Sequence, residues 1–282
     1  MDVKSTFING NLEDEVYIEE LEGFKLTDKG DYVCRLKKAL YRLKQAPWAW
    51  YERLDSYLQI QGFKRGSADN NLYCKFTHDS MVIVEVYIDD IIFGSDDEEI
   101  SKDFASRTRK EFEISLLGEL KFFLGFQIVQ SKKGIFIHYS KYVKDMLKRF
   151  QLEDCNLVCT PMTVGCKLSK EDETKDVDPK HYRSMIGILV YVTTSRPDIK
   201  QAVGMVARFQ AAPKESHVLY VKRIFRYLKG TIDLRLWCPS KNAFSLKSYL
   251  DAGWAGCVDD RKSTSGGAFF LGESLVSWIS KK

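Results

Sequence analysis

An α+β fold is predicted for this chain of 282 residues. Three observations carry the prediction. Residues 1–135 alternate short β-branched or aromatic runs with helical patterns, residues 141–229 hold two amphipathic basic helices, and strand signals return after residue 230. A hydrophobic fraction of 44%, with 13% aromatic residues, supplies enough core for more than one compact unit and excludes wholesale disorder.

The elements follow in order. In Met1-Asp2-Val-Lys-Ser-Thr-Phe-Ile-Asn-Gly10, Asp2 precedes a short strand-like segment and Asn9-Gly10 signals a turn. Gln45 stands at the start of a helix. The apolar runs 81–88 and 91–94 read as two strands, which places Asp89 and Asp90 in the turn of a hairpin. Ser95-Asp96-Asp97-Glu98 looks like a metal cluster but reads better as a capping box. Ser95 caps the next helix, Glu98 reaches back, and the acids suit the positive helix end. Residues 121–130, 131–134 and 135–138 form a second hairpin, with Gly125 inside its first strand, where a glycine permits close backbone approach.

Within 141–150, Tyr142, Val143, Met146, Leu147 and Phe150 recur at helical spacing while Lys141, Lys144, Lys148 and Arg149 stand elsewhere. The charged stretch 167–180 reads as an exposed loop. Within 217–229, Leu219, Val221, Ile224, Phe225 and Leu228 form the apolar stripe, with Lys222, Arg223, Arg226 and Lys229 between them. Strands are expected at 234–238, 245–250, 268–271 and 275–279, with Asp259-Asp260 in a turn.

Tyr87-Ile-Asp-Asp90 carries the most chemical information. Two adjacent carboxylates beside an apolar run are costly unless a cation compensates them, and an all-oxygen donor set suits Mg²⁺. A solvated turn is the competing reading, although Asp-Asp lacks the glycine that such turns favour. Two-metal phosphoryl transfer needs about three carboxylates from separate segments, and Asp2 supplies a third.

Eight motifs in series resemble the reverse transcriptase of copia-type LTR retrotransposons. They are Asp2-Val-Lys-Ser-Thr-Phe-Ile-Asn-Gly10, Lys38-Ala-Leu-Tyr-Arg-Leu-Lys-Gln-Ala-Pro-Trp-Ala-Trp-Tyr51, Tyr87-Ile-Asp-Asp90, Leu117-Gly-Glu-Leu-Lys-Phe-Phe-Leu-Gly-Phe-Gln-Ile128, Tyr182-Arg-Ser-Met-Ile-Gly187, Ser195-Arg-Pro-Asp-Ile199, Arg226-Tyr-Leu-Lys-Gly-Thr231 and Asp259-Asp-Arg-Lys-Ser-Thr-Ser-Gly266. The resemblance covers essentially the whole chain. It implies a right-hand polymerase: a palm with residual fingers at 1–135, a helical thumb and connection at 136–230, and the beginning of a ribonuclease H-like β region at 231–282.

By resemblance, Asp2 and Asp89 hold two catalytic Mg²⁺ ions (Mn²⁺ being a substitute) and Asp90 completes the triad. The implied activity is RNA-directed DNA synthesis, with a primer 3′-hydroxyl attacking the α-phosphate of a deoxynucleotide. The partners implied are an RNA template, a DNA primer and dNTPs. The Val3 carbonyl assists the second cation. Phe7 lies beneath the sugar as a deoxynucleotide gate, or is a core strand residue; Gln45 touches the nucleotide, or is an exposed helix-start residue. Leu124 and Gly125 match the primer grip, and Lys222, Arg223, Arg226 and Lys229 fall where phosphate contacts are expected. Asp251 matches the first metal ligand of ribonuclease H.

Departures from the family pattern bear on activity. Relatives carry most of the fingers ahead of the Asp2 motif and further ribonuclease H acids beyond this terminus. The chain therefore reads as a fragment with no ribonuclease H activity expected. Glycine is usual where Arg42 stands and arginine where Trp48 stands, while Leu250 and Gly253 replace the usual Ser and Asp around Asp251. The alternative reading is an inactive retroelement remnant that at most binds nucleic acid. An unrelated Mg²⁺ phosphotransferase would need a Gly-rich nucleotide loop, and none is present.

Net charge is +4, which neither demands nor excludes nucleic acid. Seven cysteines without a Cys-x-x-Cys pair point to a reducing compartment, cytoplasmic (particle-associated) or nuclear, and away from zinc. Glu85, Asp89 and Asp90 break the longest apolar stretch, so no membrane span is expected.

Overall fold

The computed structural model describes residues 1–19, 32–77, 79–241 and 243–282. These form two compact units, Met1–Glu119 and Leu120–Lys282. Both mix helices with antiparallel sheets, in keeping with the α+β expectation.

In the first unit β1 is only Asp2–Val3, so the acid lies within the strand rather than ahead of it. The segment read as strand-like is a 3-10 turn, Thr6–Asn9. Gly10 closes it, and a Cβ there would sit 2.5 Å from the Ala49 carbonyl carbon and 2.6 Å from the Trp50 nitrogen. Glycine is thus required so that this turn can lie directly on a helix backbone. β2 (Tyr17–Glu19) and β3 (Val33–Arg35) pair with each other.

Helix α1 (Ala46–Ile60) has Pro in its first turn and ends ahead of Gly62, whose φ of 85° is the usual left-handed stop. Its inner face buries Trp50, Leu54, Tyr57 and Leu58. Strands β4 (Lys64–Arg65), β5 (Leu72–Phe76), β6 (Met81–Tyr87) and β7 (Asp90–Ser95) lead to α2 (Glu98–Glu111) and β8 (Ile114–Ser115). They assemble in the order β4-β5-β6-β7-β1-β8. In β6 the period-2 pattern is literal, with Val82, Val84 and Val86 buried and Met81, Ile83 and Tyr87 exposed. The cap of α2 is Asp97, whose side chain accepts from the Glu99 N–H at 2.8 Å. Ser95 instead ends β7 and Glu98 pairs with Lys102 one turn on, so the expected Ser95–Glu98 capping box is replaced by a single N-cap bond to Asp97.

The second unit contains β9 (Phe122–Phe123), β10 (Phe126–Ser131), β11 (Gly134–His138), α3 (Ser140–Arg149), α4 (Pro179–Val192), α5 (Lys200–Val206), α6 (Glu215–Gly230), β12 (Leu236–Pro239), β13 (Leu246–Gly253), β14 (Thr264–Leu271) and β15 (Ser274–Lys281). One sheet runs β12-β11-β10-β9 and another β13-β14-β15. The boundary between the two compact units falls at Glu119–Leu120. β11 bonds to β10 on one side and β12 on the other. The charged stretch is loop up to Asp178, which caps α4 by accepting from the Lys180 and His181 N–H groups; Lys180 itself is helical. A core of Val143, Met146, Leu147, Tyr182, Ile186, Leu189, Ile224 and Phe225 unites α3, α4 and α6. Among the described residues no helix is long and apolar enough to cross a membrane.

His217 is wholly buried in that unit. It stacks on Phe209 with centroids 3.9 Å apart, accepts from the Lys214 N–H at Nδ1, and lies 3.0 Å from the Ser169 carbonyl at Nε2. A neutral ring with the proton on Nε2 satisfies both contacts. Burial holds its pKa below the usual value. The unfolded state then binds the proton first, so this contribution is full above the unfolded pKa of about 6.5 and declines as pH falls through it. Urea unfolding at pH 7.5 and 5.5 is expected to show lower stability at the acid value, with a smaller difference in His217→Gln. An equal difference in both proteins would remove His217 as the cause.

Candidate active site

The β6–β7 register closes on Tyr87 opposite Asp90, leaving Ile88 and Asp89 as the two turn residues. Asp89 is thus in the turn, whereas Asp90 is the first residue of β7. Ile88 has φ of 55°, the sign that a type II′ hairpin turn reserves for glycine. A β-branched residue there stores strain of roughly 1–3 kcal/mol and persists only where its surroundings over-determine it. They do. Trp50 donates from Nε1 to the Ile88 carbonyl at 2.7 Å, and the Val3 N–H donates to the Asp89 carbonyl at 2.9 Å. Met1 and Ile91 exchange two further bonds, of 2.8 and 2.9 Å.

This clamp sets Asp2 directly across the strands from Asp90. Asp89 is exposed, and the other two carboxylates are half-buried. Burial pushes the Asp90 pKa up, and repulsion from Asp89 and Asp2 pushes it further. Three mutually repelling oxygen donors are the chemistry a hard divalent cation neutralises, so the donor set fits Mg²⁺. Among the described residues, however, no three His, Cys, Asp or Glu side chains converge closely enough to hold a cation as they stand. The backbone brings the triad together, and the side chains would have to re-aim. The Val3 carbonyl accepts from Thr6 Oγ1 at 2.8 Å, which leaves it a second lone pair.

The other expected residues spread over both units. Phe7 lies on the 3-10 turn rather than a strand, half-buried, with its ring 5.9 Å from that of Tyr41. Gln45 occupies the N-cap of α1 without a side-chain capping bond. Trp48, 79% exposed, shares a surface cleft with Gln45, Lys44, Leu12 and Glu13. Arg42 has φ of 76°. That is the left-handed region, which favours glycine over a residue with a side chain. Arg42→Gly is expected to stabilise the chain by about 0.5–1 kcal/mol in denaturant unfolding; a loss of stability would show that the Arg42 side chain outweighs its backbone cost.

Leu124 and Gly125 belong to the second unit. They form the two-residue turn joining β9 to β10, since Phe123 pairs with Phe126, and Gly125 is not inside a strand. Of the four cations assigned to phosphate contact, three hold a neighbouring loop. Arg226 Nε donates to the Asn156 carbonyl and Lys229 Nζ to the Cys155 carbonyl, both at 2.8 Å, and Arg223 donates to Thr160 Oγ1 at 2.9 Å. Lys222 is exposed. Asp251 sits in β13 opposite Gly266, exposed, its carboxylate accepting only from the Ala252 N–H among the described residues. Sequence reasoning missed Trp50, whose role depends on a turn 38 residues away, and the tyrosines around Leu124.

A family model described as reverse transcriptase (RNA-dependent DNA polymerase) matches residues 1–164. Over the whole chain, similarity extends to the retrovirus-related Pol polyproteins from transposons RE2 and RE1 of Arabidopsis thaliana, at 37% and 38% identity, and from transposon TNT 1-94 of Nicotiana tabacum, at 36%. The chain spans 19% of the length of each Arabidopsis protein and 22% of the tobacco one.

Proposed function

Because this chain belongs to the reverse transcriptase (RNA-dependent DNA polymerase) family, we propose that it carries the nucleotidyl-transfer centre of a copia-type Pol polyprotein. Transfer is from a dNTP to a primer 3′-hydroxyl on an RNA template. The observation that carries the reading is the pairing of Asp2 with Asp90, locked by the Val3–Asp89 backbone bond. It sets the three family acids at one end of one sheet.

In this reading the first unit is the palm, and Asp2 and Asp89 would hold two Mg²⁺ ions with Asp90 beside them. When bound, these ions lower the pKa of the primer hydroxyl and neutralise the pyrophosphate leaving group. The protein's task is positioning. The β1 and Trp50 clamp fixes the backbone of Asp89, and the Val3 carbonyl, which accepts one bond from Thr6, keeps a second lone pair for a cation. Phe7 excludes a ribose 2′-hydroxyl, Gln45 contacts the nucleotide, and Leu124–Gly125 receives the primer end. Lys222, exposed and without a bond partner among the described residues, is the α6 cation best suited to backbone phosphate, whereas Arg223, Arg226 and Lys229 serve it by fixing the loop at 155–160.

Extension of a DNA primer on an RNA template in Mg²⁺ tests the proposal: extension with dNTPs is expected, and none in EDTA. A second reading, an inactive copy that at most binds nucleic acid, is favoured by the left-handed Arg42 in the Lys38–Tyr51 motif. Folded protein that binds primer–template without extending it would establish that second reading.

A further inference from the structure

The Leu124–Gly125 turn has an unusual foundation. Both residues have positive φ, 46° and 78°, as a type I′ turn requires, yet the first is leucine. A side chain in that conformation costs roughly 1–2 kcal/mol and has to be held. The hold comes from α4 and from the residue just ahead of α3. The hydroxyl of Tyr191 donates to the Leu124 carbonyl, and that of Tyr139 donates to the same oxygen at 3.4 Å. Both lone pairs of that carbonyl are thereby used.

The rings beneath are equally committed. Tyr139, buried, stacks on Phe126 with centroids 4.3 Å apart at 16°, and lies 5.2 Å from the ring of Tyr191. Thr194 Oγ1 donates to the Tyr191 carbonyl at 2.7 Å and lies 3.3 Å from the Tyr139 hydroxyl. Gly125 completes the fit, because a Cβ there would sit 3.1 Å from Tyr191 Oη. The N–H groups of Leu124 and Gly125 donate to no partner among the described residues. Tyr142 packs its ring 5.1 Å from that of Tyr191 but sends no hydrogen bond to the turn.

We propose that Tyr191 and Tyr139 are positioning residues for the primer terminus: their hydroxyls fix the Leu124 carbonyl inward and so hold the turn's free N–H groups ready for the primer backbone. The inference rests on the polymerase reading, which makes this turn the element that meets the primer. It deepens that reading by assigning two tyrosines outside the turn to its geometry.

The test uses the full chain and needs no catalysis. A primer–template carrying 2-aminopurine at the primer 3′ end reports the terminus, and the same base placed upstream in the duplex reports binding in general. Tyr191→Phe keeps the ring and deletes one hydroxyl at a partly exposed position while Tyr139 still reaches the carbonyl, so thermal unfolding is expected to drop only slightly. Its affinity read at the 3′ end is expected to fall roughly three- to tenfold, the effect of one hydrogen bond. The upstream signal and Tyr142→Phe are expected to match the wild type. Unchanged 3′-end affinity in Tyr191→Phe, or an equal loss in Tyr142→Phe, overturns the inference while leaving the polymerase reading intact. Wild-type protein that binds no primer–template overturns both.

Discussion

Asp89→Asn is expected to reduce Mg²⁺-dependent primer extension by at least about a thousandfold, since removing one charge from a preorganised electrostatic site costs on that order. The amide has the size of the carboxylate and loses its charge. The Asp89 side chain is exposed, and its structural contribution runs through the backbone carbonyl, which the Val3 N–H reaches at 2.9 Å. Folding should therefore be spared. Relief of repulsion also matters: Asp89 is one of the carboxylates holding the Asp90 pKa up, so in the variant Asp90 ionises at lower pH. The measurement is a pair of assays, extension rate and thermal unfolding, on wild type and variant. Extension retained within about tenfold, a factor worth only ~1.4 kcal/mol, would falsify the assignment of Asp89 as a cation ligand.

Trp50→Ala is expected to destabilise the first unit by about 3–5 kcal/mol, the range for deleting a large buried aromatic. Trp50 is 2% exposed, meets Phe112 edge-on at 5.3 Å, and is the anchor that reaches the Ile88 carbonyl. Against a typical domain stability of about 5–15 kcal/mol, that loss is a large fraction. Trp50→Phe separates packing from the hydrogen bond. It keeps a ring in place, removes the donor, and leaves the positive-φ Ile88 without that restraint. Extension is then expected to fall by a larger factor than stability does, and adding Ile88→Gly, which removes the backbone strain, to recover part of the lost stability. Urea unfolding alongside extension decides it. Parallel losses in Trp50→Phe would mean that the indole serves the core alone.

Some of this was legible in the residues. The apolar, β-branched run at 81–88 specified a strand, and the acid pair after it marked a hairpin end, because both signals are written in adjacent residues. The turn at Lys132–Lys133 and the apolar stripes of α3 and α6 were visible for the same reason. Family membership was legible too, since eight motifs in order constrain identity more than any one of them.

Other features required the tertiary structure. Charge spacing on α6 gave Arg223, Arg226 and Lys229 free for phosphate, yet each takes an acceptor from the loop at 155–160, and nothing in helical spacing says which acceptor comes near. A strand signal at 234–238 suggested a new domain, whereas β12 completes the sheet begun by β9–β11. Asn9-Gly10 read as a turn, but only packing against Ala49 and Trp50 made the glycine obligatory. Local pattern determines which face of an element is apolar and where it can end. Partners of a carbonyl, a cation or a strand edge are chosen by segments tens of residues away. So the acids were named by the sequence, and the Trp50 and Val3 bonds that hold the turn carrying Asp89, like the Tyr191 bond to the Leu124 turn of the other unit, by the fold.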